Sequence, residues 1–205
     1  MFPILLASAS PRRRQLLEQV GFHVVTRAVD IDETVEEGEH PETAVVRLAE
    51  DKGRAAAHSH RDDDLPTLGI AADTLVWTED GTTLGKPADP PRAHAMMRRL
   101  SARAHHVSTG FALFDVPTAE VLRSDVVTTR VRFRDLDERE IEAYVATGEP
   151  FDKAGGYGIQ GFGAALVRDI SGSYSNVVGL PLAEVVEACR HVGRLDGMPW
   201  EHGDA

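Results

Sequence analysis

Apolar residues in this chain recur at two spacings, and the alternation between them predicts most of the architecture. Ile4-Leu5-Leu6-Ala7 is a short continuous run of the length of a buried strand. Pro11 opens a stretch in which Leu16, Leu17 and Val20 return at helical spacing, with Ser10 placed to cap it and Gly21 to end it. Phe22-His23-Val24-Val25-Thr26 reads as a second strand, completing a β-α-β start. A helix runs from Pro41 to about Ala57 with Val45, Leu48 and Ala49 inward, and a polar loop covers His58 to Thr67. Strands are expected at Leu68–Trp77, His106–Phe114 and Glu120–Phe133. The last alternates at Val127, Thr129, Val131 and Phe133, as a half-buried strand does. Between them Pro91 starts a helix with Met96, Met97 and Leu100 inward. Asp137 and Glu140 form a capping-box-like start to another, which carries Ile141, Tyr144 and Val145 and stops at Gly148. Ala164–Ile170 is the expected last strand, and a closing helix runs through His191. The class is α/β, with one domain over 1–193 and a flexible acidic tail over 194–205.

Composition narrows the function. A chain of 205 residues buries one sizeable core, as one domain or two tightly joined lobes. The net charge of −11 argues against nucleic-acid binding, although a locally basic pocket for a phosphorylated small molecule remains compatible with it. No apolar stretch approaches the ~20 residues that span a bilayer, so no membrane partner is expected. The single cysteine, Cys189, lies in a helical pattern of valines and reads as a buried thiol, and a cytoplasmic address follows as the default.

Candidate chemistry sits at four places. Arg12, Arg13 and Arg14 fill the first turn of the first helix, where backbone N–H groups and guanidinium forks favour an anion, phosphate above all. Consecutive residues diverge around a helix, so at most two of the three serve one ligand; the alternative is a solvated face. Asp30, Asp32 and Glu33 follow the second strand, where α/β proteins place chemistry and where oxygen ligands suit Mg²⁺ or Mn²⁺. Taken alone they read sooner as an acidic loop. Lys52 falls on the apolar stripe of its helix and either snorkels to the surface or points into a pocket. Asp73 stands inside an apolar strand beside the small Ala71 and Ala72. An isolated carboxylate there is costly unless paired, hydrogen-bonded or metal-bound.

Two further stretches are less decisive. Lys86 in Leu84-Gly85-Lys86-Pro87 is held by a tight turn and suits either a phosphate contact or a surface position. Six glycines between Gly148 and Gly163 interleave with Lys153, Tyr157 and Gln160, which is not linker chemistry. The Gln160 amide offers a donor and an acceptor together, matching the N3–H and a carbonyl of uracil or thymine. His58 and His60 are taken as solvated.

Six segments in this order resemble the Maf family of nucleoside triphosphate pyrophosphatases: Leu6–Arg13, Asp32-Glu33-Thr34, Ala72-Asp73-Thr74, Leu84–Pro87, Gly148–Gly163 and Tyr174–Pro181. The resemblance implies a mixed twisted sheet in two lobes around a nucleotide cleft, similar to inosine triphosphate pyrophosphatases, and often a homodimer. It implies hydrolysis between the α- and β-phosphates with a divalent metal cation, Mg²⁺ or Mn²⁺. Asp73 matches the family's proton acceptor, and Arg12, Thr74 and Gln160 match positions tied to base choice, in the pattern of the dTTP/UTP subgroup. Ser8, Arg13, Lys52 and Lys86 are then expected on phosphates, with Glu33 and Asp73 on the metal; Asp73 as base and Asp73 as metal ligand both stay open. Rival readings are the same reaction on a modified nucleotide such as 7-methyl-GTP, and a nucleotide-sensing regulator of septum formation. A dinucleotide-binding dehydrogenase is disfavoured, because the first strand–helix turn holds Ser-Ala-Ser-Pro and no glycine fingerprint.

Overall fold

The computed structural model describes residues 2–59 and 66–196, so His60 and most of the acidic loop around it lie outside the described residues. The strands are β1 (Phe2–Ala7), β2 (Phe22–Thr26), β3 (Leu68–Thr78), β4 (Thr83–Leu84), β5 (Ala104–Asp115), β6 (Val121–Phe133) and β7 (Val167–Ser171). The helices are α1 (Pro11–Gln19), α2 (Pro41–Ser59), α3 (Pro90–Leu100), α4 (Glu138–Ala146), α5 (Tyr174–Val178) and α6 (Leu182–His191). One mixed sheet runs in the order β2-β1-β3-β5-β6-β7, with β4 pairing β3. β1 lies parallel to both β2 and β3, whereas β3–β4 and β6–β7 are antiparallel.

The chain divides into two compact units. The first takes residues 1–73, 109–127 and 179–205; the second takes 74–108 and 128–178. Strands β3, β5 and β6 each contribute residues to both units. Within the first, Leu5, Ala7, Ala56, Ala57, Ala71 and Phe114 form one buried cluster. Small residues are required there. A Cβ at Gly110 on β5 would collide with the Val45 carbonyl of α2, so this glycine lets the helix backbone lie directly on the sheet. The second unit closes over Met97, Leu100, Val131, Phe133, Ile141 and Tyr144, from α3, β6 and α4.

Most of the expected elements form, with local differences. α1 starts at Pro11, but the Ser10 side chain makes no cap bond. The Ser8 hydroxyl accepts from the Ser10 N–H instead, at 3.2 Å. α4 carries a complete capping box between Asp137 and Glu140. Residues 164–166, expected in the last strand, belong to a 3₁₀ turn over Phe162–Leu166, and β7 begins only at Val167. Inside the span read as tail, Arg194 pairs with Asp115 and Leu195 is buried, so the chain stays attached through at least residue 195.

Gly110→Ala should therefore lower stability by about 1–3 kcal/mol, because the added methyl meets backbone that has no rotamer to yield. Urea unfolding should show an earlier midpoint at an unchanged m-value.

Candidate active site

β1 and β3 pair in parallel with Ala7 opposite Ala71, so Ser8, just past the end of β1, lies near Asp73, which is midway along β3 and two residues beyond the parallel pairing. Carboxyl ends of parallel strands are where open α/β sheets present ligand sites. Asp73 is buried, at 8% exposure, and its burial inside an apolar strand is answered by an ion pair. The Lys52 ammonium lies 2.5 Å from Asp73 Oδ1 and 2.6 Å from Glu33 Oε1. Lys52 is itself buried, so it does not snorkel; its ammonium turns inward and bridges two carboxylates. Glu33 remains the more open of the two, with 58% of its side chain exposed.

The loop that carries Glu33 is tied back to α2. Arg47 donates to both oxygens of Glu39, at 2.8 and 2.7 Å, and to the Thr34 carbonyl at 3.1 Å. This fork holds the Glu39 carboxyl down to about 2 and raises Arg47 above the ordinary arginine value. Asp32 accepts from the Thr34 N–H at 2.9 Å and so shapes the turn beside Glu33.

The three arginines of α1 separate as helical geometry requires. Arg14 turns to solvent and pairs with Glu18 at 2.7 Å. Arg13 turns inward, donating through Nε to the Gly179 carbonyl at 2.8 Å and through a terminal nitrogen to Ser8 Oγ at 3.1 Å. Burial lowers the Arg13 pKa from its ordinary value, Asp73 and Glu33 oppose that shift, and the neighbouring Arg12 adds to it. Arg13 therefore shares one electrostatic site with Asp73 and Glu33. The first unit thus brings together Ser8, Arg13, Glu33, Lys52 and Asp73.

Thr74, Lys86 and Gln160 belong to the second unit. Thr74 is half-buried on β3, whereas Lys86 and Gln160 are exposed in loops. The glycines around Gln160 serve packing within the loop. Glu149, which the sequence reading left aside, accepts from Tyr144 Oη at 3.0 Å and from the N–H groups of Phe162 and Gly163 at 2.8 and 2.9 Å. A Cβ at Gly161 would strike that carboxylate. A second anchor is the buried pair of Tyr157 Oη and His105 Nε2, 2.8 Å apart. The one signal for Glu149 in the sequence was an acidic side chain among glycines, of which Gly161 leaves room for its carboxylate.

A divalent cation is the group the resemblance implies here. Two hard oxygen donors, Glu33 Oε1 and Asp73 Oδ1, already reach a single cationic atom, which fits such an ion. Among the described residues no three acidic, histidine or cysteine groups cluster as a metal cage. One or two carboxylates, with water and substrate phosphate completing the shell, is the usual Mg²⁺ arrangement. Cys189 is buried and free, its thiol pushed up to about 12 by burial, and plays no part. His58 is exposed and hydrogen-bonds its own helix.

The chain belongs to the Maf family: the model for "Maf-like protein" matches residues 3–192. A dTTP/UTP pyrophosphatase of Desulfotalea psychrophila is 50% identical over 185 residues, covering 90% of this chain and 92% of that protein. One of Geotalea uraniireducens is 49% identical over 193 residues, covering 94% and 96%. Among solved structures, the Staphylococcus aureus Ham1 protein aligns with a TM-score of 0.43 at 14% identity, over 65% of this chain and 72% of that one. Among the described residues no helix is long and apolar enough to cross a membrane.

His105 supplies a pH signature for the second unit. Burial depresses its pKa from 6.5 to about 3, so between those values the unfolded chain binds a proton that the folded chain does not. Its contribution is complete above pH 6.5 and falls as the pH drops below it, by about 1.4 kcal/mol per pH unit. Urea titrations of wild type and His105→Gln should diverge in slope below that pH, the variant being the flatter.

Proposed function

We propose that this chain is a nucleoside triphosphate pyrophosphatase that hydrolyses dTTP and UTP to the monophosphate and pyrophosphate. The observation that carries the reading is the buried Asp73–Lys52 pair, joined by the more exposed Glu33 and beside Arg13, where the parallel pairing of β1 and β3 ends. Membership of the Maf family and the names of relatives at 49–50% identity support it.

In this reading Asp73 orients a water toward the α-phosphorus and accepts its proton, as general-base catalysis requires at hydrogen-bond range. Lys52, or the cation when it is bound, engages one oxygen of Asp73, leaving the other for the water. Arg13, locked by Gly179 and Ser8, presents a fixed guanidinium to the polyphosphate and stabilises the leaving pyrophosphate. Glu33 and Asp73 would hold the divalent cation, which neutralises phosphate charge when bound. Lys86 is assigned to phosphate, and Arg12, Thr74 and Gln160 to base choice. A cytoplasmic location and a homodimer complete the proposal.

The test is pyrophosphate release from a panel of dTTP, UTP, CTP, GTP and 7-methyl-GTP with Mg²⁺ or Mn²⁺. Release confined to dTTP and UTP is expected. Release mainly from the methylated purine would keep the reaction and overturn the base assignment. Nucleotide binding without turnover would favour a regulator instead. Asp73→Asn should lose about a hundred- to ten-thousandfold in turnover while keeping its far-ultraviolet circular dichroism. Gln160→Ala should blur base discrimination; an equal loss on every triphosphate would place Gln160 in the catalytic or folding machinery.

A further inference from the structure

We infer that Lys52 is a built-in placeholder for the divalent cation, and that it exchanges its carboxylates for substrate phosphate when the cation arrives. The inference rests on the metal reading of Glu33 and Asp73 given above. Its ground is geometric. One ammonium lies within 2.6 Å of Glu33 Oε1 and 2.5 Å of Asp73 Oδ1, the two oxygens that the cation would also need. A buried ammonium and a divalent ion cannot share one pair of oxygens at those distances, because each demands close contact and the two repel.

The arrangement answers a physical difficulty. Asp73 is buried in an apolar strand, and left unpaired it would be costly whenever no cation is bound. Lys52 supplies the counter-charge in that state. Its stem is fixed on the buried face of α2, while four methylenes let the ammonium swing over a few ångströms without moving the helix. On release the ammonium seeks an anion, and the phosphates of an arriving nucleotide are the nearest class of ligand the site would admit. Cation binding and phosphate capture are then coupled through one side chain. Because the lysine-bound state is closed to the ion, the apparent affinity of the nucleotide-free enzyme is reduced by the fraction of molecules in that state.

The test measures Mn²⁺ binding to the nucleotide-free full chain by electron paramagnetic resonance, for wild type, Lys52→Met and Glu33→Gln. Lys52→Met removes the charge and keeps the length, and it should bind Mn²⁺ about tenfold tighter or more. Equal or weaker binding by Lys52→Met, with binding lost in Glu33→Gln, would leave the metal site standing and overturn the placeholder. Unchanged binding in Glu33→Gln would overturn the metal site and the inference with it. A second readout on wild type distinguishes exchange from simple repulsion and survives a variant that fails to fold. Acetylation of Lys52 by an amine-reactive reagent, followed by peptide mass spectrometry, should accelerate when Mg²⁺ is added. An unchanged or slower rate would mean that the lysine stays on Asp73, contrary to the inference.

Discussion

The Lys52 ammonium between Asp73 and Glu33 is the contact on which the candidate site depends. An aspartate inside an apolar strand and a lysine on the apolar stripe of a helix are each unfavourable alone. Together they neutralise one another; removing Lys52 takes the ion pair from the buried Asp73, and removing Asp73 leaves Lys52 only the more exposed Glu33. That mutual dependence fixes where α2 lies on β3, and the absence of a side chain at Gly110 allows the helix to approach closely enough. The ammonium also aims the carboxylate, by holding one of its oxygens.

The remaining parts hold this pair in context. The Glu33 loop is pinned by the fork from Arg47 to Glu39, so the second carboxylate is delivered by an arrangement that uses only protein groups. Arg13 is pinned by the Gly179 carbonyl, which brings residues 166 positions apart to one point. A guanidinium held this way loses little rotamer freedom when an anion binds, so its charge is available without reorganisation. In the second unit Glu149 and the His105–Tyr157 pair do the same for the glycine-rich loop.

Asp73 was legible in the sequence because a carboxylate inside an apolar strand has few harmless explanations, and Lys52 because it interrupts a helical stripe. Their pairing was not legible, since it joins residues 21 apart through tertiary packing that no local pattern encodes. Three adjacent arginines announced an anion site without revealing that Arg13 turns inward and Arg14 outward, a choice settled by Gly179 and Glu18. Ser10 looked like the helix cap, but the Ser8 hydroxyl takes its N–H because Arg13 draws Ser8 into the site. Glu149 was hidden because an acidic residue in a glycine-rich loop resembles a solvated one until its three donors converge.

The measurement that bears most directly on the central claim, attack of an Asp73-held water on the α-phosphorus, is turnover of dTTP in water enriched in heavy oxygen. Mass spectrometry of the products should find the label in the nucleoside monophosphate and none in the pyrophosphate. Label in pyrophosphate, or release of orthophosphate, would mean that another phosphorus is attacked and would contradict the account.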